Sequence, residues 1–172
     1  ISTALEAAWP ALGIYSIWLA EQEKQRAVDA ITNYAVWDAK ESATFATAGL
    51  EVGVDHIFTV DDLADFGITT EDIASVDATT VPVRVKGRID RLERTDAGQY
   101  VIVDFKTGKT VPSKKDTQDN AQLALYQLAL SGSDKDTTPV VKAKLVYLRP
   151  RSGSLGERDQ QALDAVERKR WR

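Results

Sequence analysis

The sequence has no cysteine, no methionine and a single histidine. Without cysteine the chain makes no disulfide, zinc–thiolate centre or iron–sulfur cluster of its own. His56 is the only imidazole, and a lone histidine in a strand pattern reads as structural rather than as a ligand. No apolar run approaches the roughly 20 residues that span a bilayer, so no membrane partner is expected. No leader of basic, apolar and small residues opens the chain. No lysine stands behind the glycine spacing of a Walker A loop, so ATP binding is not expected within these residues. The chain starts at Ile1 and lacks methionine, which reads as a piece of a longer product.

What remains suits one domain spanning residues 1–172: 43% of the 172 residues are hydrophobic, enough for a sizeable core. The net charge of −4 conceals an asymmetry. Residues 1–83 carry 3 basic and 14 acidic side chains, and residues 84–172 carry 19 basic and 12 acidic. A basic second half suits a polyanionic partner.

Periodicity predicts a long helix over 15–41 and a strand over 50–60. Residues 61–80, with six acids and no base, read as an acidic surface insertion. A hairpin follows over 81–94 and 99–106, turning at Asp96-Ala97-Gly98. A helix over 117–131 is opened by Gln118 and Asp119, and a strand spans 140–148. A charged tail helix is expected over 157–172. This order predicts an α/β fold, a mixed central sheet flanked by helices.

The chemistry concentrates in the hairpin. Asp90 is expected to close a strand that begins near Val81, and Asp104 and Lys106 to close the next one. Residues two apart on a strand share a face, so Asp104 and Lys106 lie opposite Val101, Val103 and Phe105. Ile102, on the Asp104 face, implies that this face is covered. Acids and a lysine at the end of a covered face are costly unless they work together or form an internal salt bridge. Two carboxylates at neighbouring strand ends supply hard oxygen ligands for a divalent cation. The lysine beside them is suited to positioning water or balancing charge on a phosphate. Thr107-Gly108-Lys109 follows, with Gly108 permitting a tight turn and Lys109 a phosphate contact, although for Thr107-Gly108 alone a plain turn is the better account. Gln122 and Tyr126, four apart, share a helix face. Glu51 and Asp55 are candidates for outer ligands.

Three blocks carry a family resemblance: Gly87-Arg88-Ile89-Asp90-Arg91, Val103-Asp104-Phe105-Lys106-Thr107-Gly108, and Gln122-Leu123-Ala124-Leu125-Tyr126. In order and spacing they resemble the RecB-like branch of the PD-(D/E)xK nuclease superfamily, over roughly residues 15–148. The resemblance implies a restriction-endonuclease-like core and a metal-dependent DNA nuclease. Asp90, Asp104 and the Phe105 carbonyl would bind Mg2+, or Mn2+ in its place, with Lys106 as the motif lysine. Gln122 and Tyr126 would lie near the DNA. Independently of the resemblance, residues 84–115 carry 9 basic and 4 acidic side chains, which points to a basic binding face near Arg88, Arg91 and Lys109. The implied setting is a DNA-end-processing helicase–nuclease in the bacterial cytoplasm. Its partners would be UvrD/Rep-type motor domains on the same polypeptide and a second helicase–nuclease subunit. The rival expectation is a non-catalytic module of the same fold that binds DNA or a partner. The chain departs from many relatives in lacking an upstream metal-binding histidine and the four iron–sulfur cysteines.

Overall fold

The computed structural model describes residues 17–58, 83–131 and 138–171, together with Thr3 and Ala7. The acidic insertion expected over 61–80 lies outside the described residues. In chain order the elements are α1 (Ile17–Glu41), β1 (Ala46–Phe58), β2 (Val83–Arg94), β3 (Tyr100–Lys106), α2 (Lys114–Gln118), α3 (Ala121–Ser131), β4 (Val140–Tyr147), β5 (Gly156–Gln161) and α4 (Ala165–Arg170). The strands form one five-stranded sheet in the order β1-β2-β3-β4-β5. β1 pairs with β2, and β2 with β3, in antiparallel fashion. Tyr100 N–H donates to the Pro139 carbonyl and Leu148 N–H to the Lys106 carbonyl, so β3 and β4 run parallel and the sheet is mixed. Among the described residues no helix is long and apolar enough to cross a membrane.

The β2–β3 hairpin forms for local reasons. Its register, Arg94 opposite Tyr100 through Arg91 opposite Val103, leaves the loop Thr95–Gln99. Gly98 N–H donates to the Thr95 carbonyl, and Gly98 takes φ 79°, the left-handed conformation that glycine adopts without a Cβ penalty.

By contacts the chain divides into two compact units. The first comprises residues 1–44, 105–111 and 145–158. Its anchor is Trp37 on α1, fully buried, whose ring meets Phe105 edge-on at 5.1 Å between centroids. Tyr34 meets the same phenyl ring at 5.3 Å. Phe105 is thereby fixed with its side chain against α1. The tryptophan serves helix packing.

The second unit comprises residues 45–104, 112–144 and 159–172. Helix α3 lies on β1 and β2, burying Ala124 and Leu128 against Phe58 and Leu163. Two features here differ from the sequence reading. The helix expected over 117–131 is broken in two. The Asn120 side chain accepts from Leu123 N–H at 3.0 Å and starts α3 afresh, while Ser113 and Asp116 form a capping box for α2. The tail is not one charged helix: Gly156–Gln161 is a strand, and only Ala165–Arg170 is helical. Gln160, 1% exposed, explains the strand. Its amide donates to the carbonyls of Gln118 and Asn120, both at 3.0 Å, and accepts from Gln127 at 2.9 Å. Buried amides satisfied on every side hold a polar strand in place.

Candidate active site

The carboxylate pair sits where β2 and β3 pass from core to water. On β2, Arg84, Lys86 and Arg88 are exposed, Asp90 is half-buried, and Arg91, Leu92 and Glu93 are buried. On β3, Tyr100 through Asp104 are buried, Phe105 and Lys106 are half-buried, and Thr107 onward is exposed. Asp90 and Asp104 are the residues next to the Arg91–Val103 pair on their respective strands. β2 itself continues to Arg94, so Asp90 lies within the strand rather than closing it. Ile102, beneath Asp104, has no exposed surface, so the expected covering of this face is present.

Asp104 is 3% exposed, and burial of a carboxylate is costly unless polar partners compensate. Gln122 supplies one: its Nε2 donates to Asp104 Oδ1 at 2.8 Å. The same amide donates to the Tyr126 hydroxyl at 3.1 Å, and that hydroxyl donates to the Arg88 carbonyl at 2.7 Å. The helix pair four residues apart therefore bridges both strands of the hairpin. Gln122 orients the Asp104 carboxylate, and Tyr126 fixes the β2 backbone two residues before Asp90.

Gly87 makes this possible, a role that the sequence reading missed. A Cβ there would stand 2.9 Å from Tyr126 Cε1. A glycine inside a strand pattern is itself a signal that another group approaches closely. Gly87→Ala is expected to destabilise the chain by about 1–3 kcal/mol in chemical denaturation. The clash outweighs the roughly 0.5–1 kcal/mol that alanine gains over glycine in a strand, because the Tyr126 ring is buried and tied down by its hydroxyl. Unchanged stability would show that the ring moves aside freely.

The remaining candidates separate. Phe105 and Lys106 follow Asp104 directly on β3. Arg88 is exposed and pairs with Glu51 at 3.2 Å. Arg91 does not share that face: it is 3% exposed and pairs with the fully buried Glu93 at 3.1 Å. Three residues apart on a strand, Arg88 and Arg91 point to opposite sides, so the basic face expected from Arg88, Arg91 and Lys109 loses Arg91. Lys109 is exposed, and its carbonyl accepts from Arg151 N–H at 2.9 Å. Gly108 is not in the left-handed region, and a Cβ would stand 3.8 Å from Tyr147, so its turn does not require glycine.

Glu51 and Asp55, expected as outer ligands, are engaged by arginines. Arg84 grips Asp55 through two hydrogen bonds of 2.6 Å. That guanidinium holds the Asp55 carboxyl below the usual carboxylate range. Glu51 sits at φ 51°, an uncommon conformation for a residue with a side chain. His56 stacks edge-on against Phe58 at 4.4 Å, in keeping with its structural reading.

The donor chemistry fits a hard divalent cation: two carboxylates on neighbouring strands, one of them held by an amide. Among the described residues no cluster of three or more acidic, histidine or cysteine side chains occurs.

No curated protein matches the chain. Among solved structures, the crystal structure of SSO0001 is similar at 16% identity and a TM-score of 0.46, over 99% of this chain and 66% of that one. The chain thus spans slightly less than two thirds of that protein's length. The family model described as the PD-(D/E)XK nuclease superfamily matches residues 1–172, all three blocks around Asp90, Asp104 and Gln122 included. With its whole length matched, the chain belongs to the PD-(D/E)XK nuclease superfamily.

Proposed function

We propose that residues 1–172 form one nuclease domain that hydrolyses phosphodiester bonds of DNA with Mg2+ or Mn2+ as cofactor. The observation that carries this reading is the Gln122–Asp104 hydrogen bond at 2.8 Å, which orients a buried carboxylate at the rim of the core. Superfamily membership supports the reaction class. Asp90, Asp104 and the Phe105 carbonyl would hold the cation. When bound, it would supply Lewis-acid polarisation of a phosphate and acidification of water.

The protein groups do the positioning. Gln122 fixes the angle at which Asp104 presents its oxygens, and Tyr126 anchors the strand that carries Asp90. Lys106, two residues beyond Asp104, places a positive charge where negative charge develops on the scissile phosphate. Arg88 and Lys109 favour the approach of a polyanion through their charge.

The finer setting is also proposed. The three blocks fit a RecB-like exonuclease domain fused to a UvrD/Rep-type helicase. It would process DNA ends in repair and recombination in the bacterial cytoplasm, with motor domains on the same polypeptide and a second subunit as partners.

The test is degradation of linear duplex DNA in Mg2+ by the protein and by Lys106→Ala. A positioned electrostatic group contributes about 100- to 1,000-fold to rate, and the variant is expected to lose that much. Cleavage at the original rate would remove Lys106 from the mechanism.

A further inference from the structure

An open cavity of about 160 Å3 lies wholly within the first unit, bordered by Arg26, Asp29, Asn33, Lys109, Arg149 and Gly153. We propose that this cavity is a phosphate subsite, which takes one phosphate group of a nucleic-acid strand between Lys109 and Arg149, separately from the Asp90–Asp104 pair. The identity of the strand rests on the nuclease reading; the phosphate chemistry does not.

Charge is the first argument. Three cations and one acid line the cavity. Arg26 is engaged by Glu23 on its own helix, and Asp29 accepts from the Gln25 amide at 2.8 Å. Lys109 and Arg149 have no ion-pair partner among the described residues, so their charge is available to an anion. An arginine fork grips phosphate oxygens in pairs, and a lysine adds a point charge.

Construction is the second. The loop carrying Arg149 is pinned to α1, where Asn33 Nδ2 donates to the Leu148 carbonyl at 2.7 Å. It is pinned to the loop carrying Lys109, where Arg151 N–H donates to the Lys109 carbonyl at 2.9 Å. Gly153 closes the turn at φ 75°, its N–H on the Pro150 carbonyl at 2.9 Å. The two cations are thus carried by backbones already tied to each other, and little ordering is needed on binding.

Size is the third. At about 30 Å3 per water, the cavity holds roughly five waters' worth of volume. That accommodates a tetrahedral phosphate with some of its hydration. The ligand is a phosphate group read without sequence.

The test is fluorescence anisotropy of a labelled oligothymidylate with the 172-residue chain in EDTA, across a salt series. Binding in EDTA is measured apart from cleavage, so its failure leaves the nuclease reading standing. Conversely, an inactive chain that still binds leaves this subsite standing. Lys109→Ala/Arg149→Ala should weaken binding and flatten the log–log salt slope by about 0.7, the loss of one phosphate contact on a single strand. Asp29→Asn should strengthen binding, because a repelling carboxylate is removed; a merely misfolded variant would not do so. Inorganic phosphate should compete with the oligonucleotide on the wild-type chain and not on the double variant. Wild-type affinity and slope in the double variant would overturn the proposal. Phosphate binding lost in the double variant while the oligonucleotide slope stays unchanged would overturn its assignment to a nucleic-acid strand.

Discussion

Asp104→Asn is expected to leave the chain folded and to reduce Mg2+-dependent DNA cleavage by more than about 100-fold. Replacing a group that merely orients a metal ligand costs about 10- to 100-fold, and a direct ligand should cost more. The fold should survive for a local reason. Asn keeps an oxygen at the position where Asp104 Oδ1 accepts from Gln122 Nε2 at 2.8 Å, so the buried amide retains its partner. The substitution removes the negative charge and puts an amide NH2 in place of the buried Oδ2. Circular dichroism and urea denaturation should superimpose on the wild type while cleavage disappears. Equal cleavage by the variant would separate Asp104 from catalysis. A large fall in stability would instead show that the carboxylate charge is needed for folding.

Trp37→Ala should have the largest effect on stability, about 3–5 kcal/mol. For a chain of this size that corresponds to a fall in Tm on the order of 10 °C. Trp37 has no exposed surface and carries the edge-on contact with Phe105, with Tyr34 beside it at 6.2 Å. Truncation leaves a cavity that α1 cannot close, because Tyr34 is already packed on the same phenyl ring at 5.3 Å. The adjacent Val36 is 63% exposed, and Val36→Ala should change stability by less than about 0.5 kcal/mol. Urea unfolding of both variants checks the contrast. Similar small losses for the two would mean that the α1–Phe105 contact contributes little.

The sequence is most legible where one short-range rule decides the structure. Alternation along Arg84–Arg88 and the Asp96-Ala97-Gly98 turn mark the β2–β3 hairpin, and with it the neighbouring positions of Asp90 and Asp104. Helical spacing marks α1, observed over Ile17–Glu41. It is least legible where a long-range contact overrides local pattern. The run Glu157-Arg158-Asp159 has the look of a solvated helix, yet Gln160 finds Gln127 and the carbonyls before α3, and the segment extends as β5. The break between α2 and α3 rests on one Asn120 side chain. β1 begins at Ala46, earlier than the expected 50, and its pairing with β2 shifts register between Thr47 and Gly49. In the site, the types of residue are visible and their orientation is less so. Arg91 carries the charge expected of a DNA contact and spends it on buried Glu93. Gln122 and Tyr126 share the predicted helix face, and their bonds to Asp104 and the Arg88 carbonyl emerge only in three dimensions.

The most direct measurement of the central claim is isothermal calorimetry of Mn2+ binding to the 172-residue chain and to Asp90→Ala/Asp104→Ala. On the proposed ligand set, removing both carboxylates would leave only the Phe105 carbonyl, and one neutral oxygen does not hold a divalent cation against water. The wild type should give a saturable heat and the double variant only dilution heat. Equal binding by the two chains would contradict it.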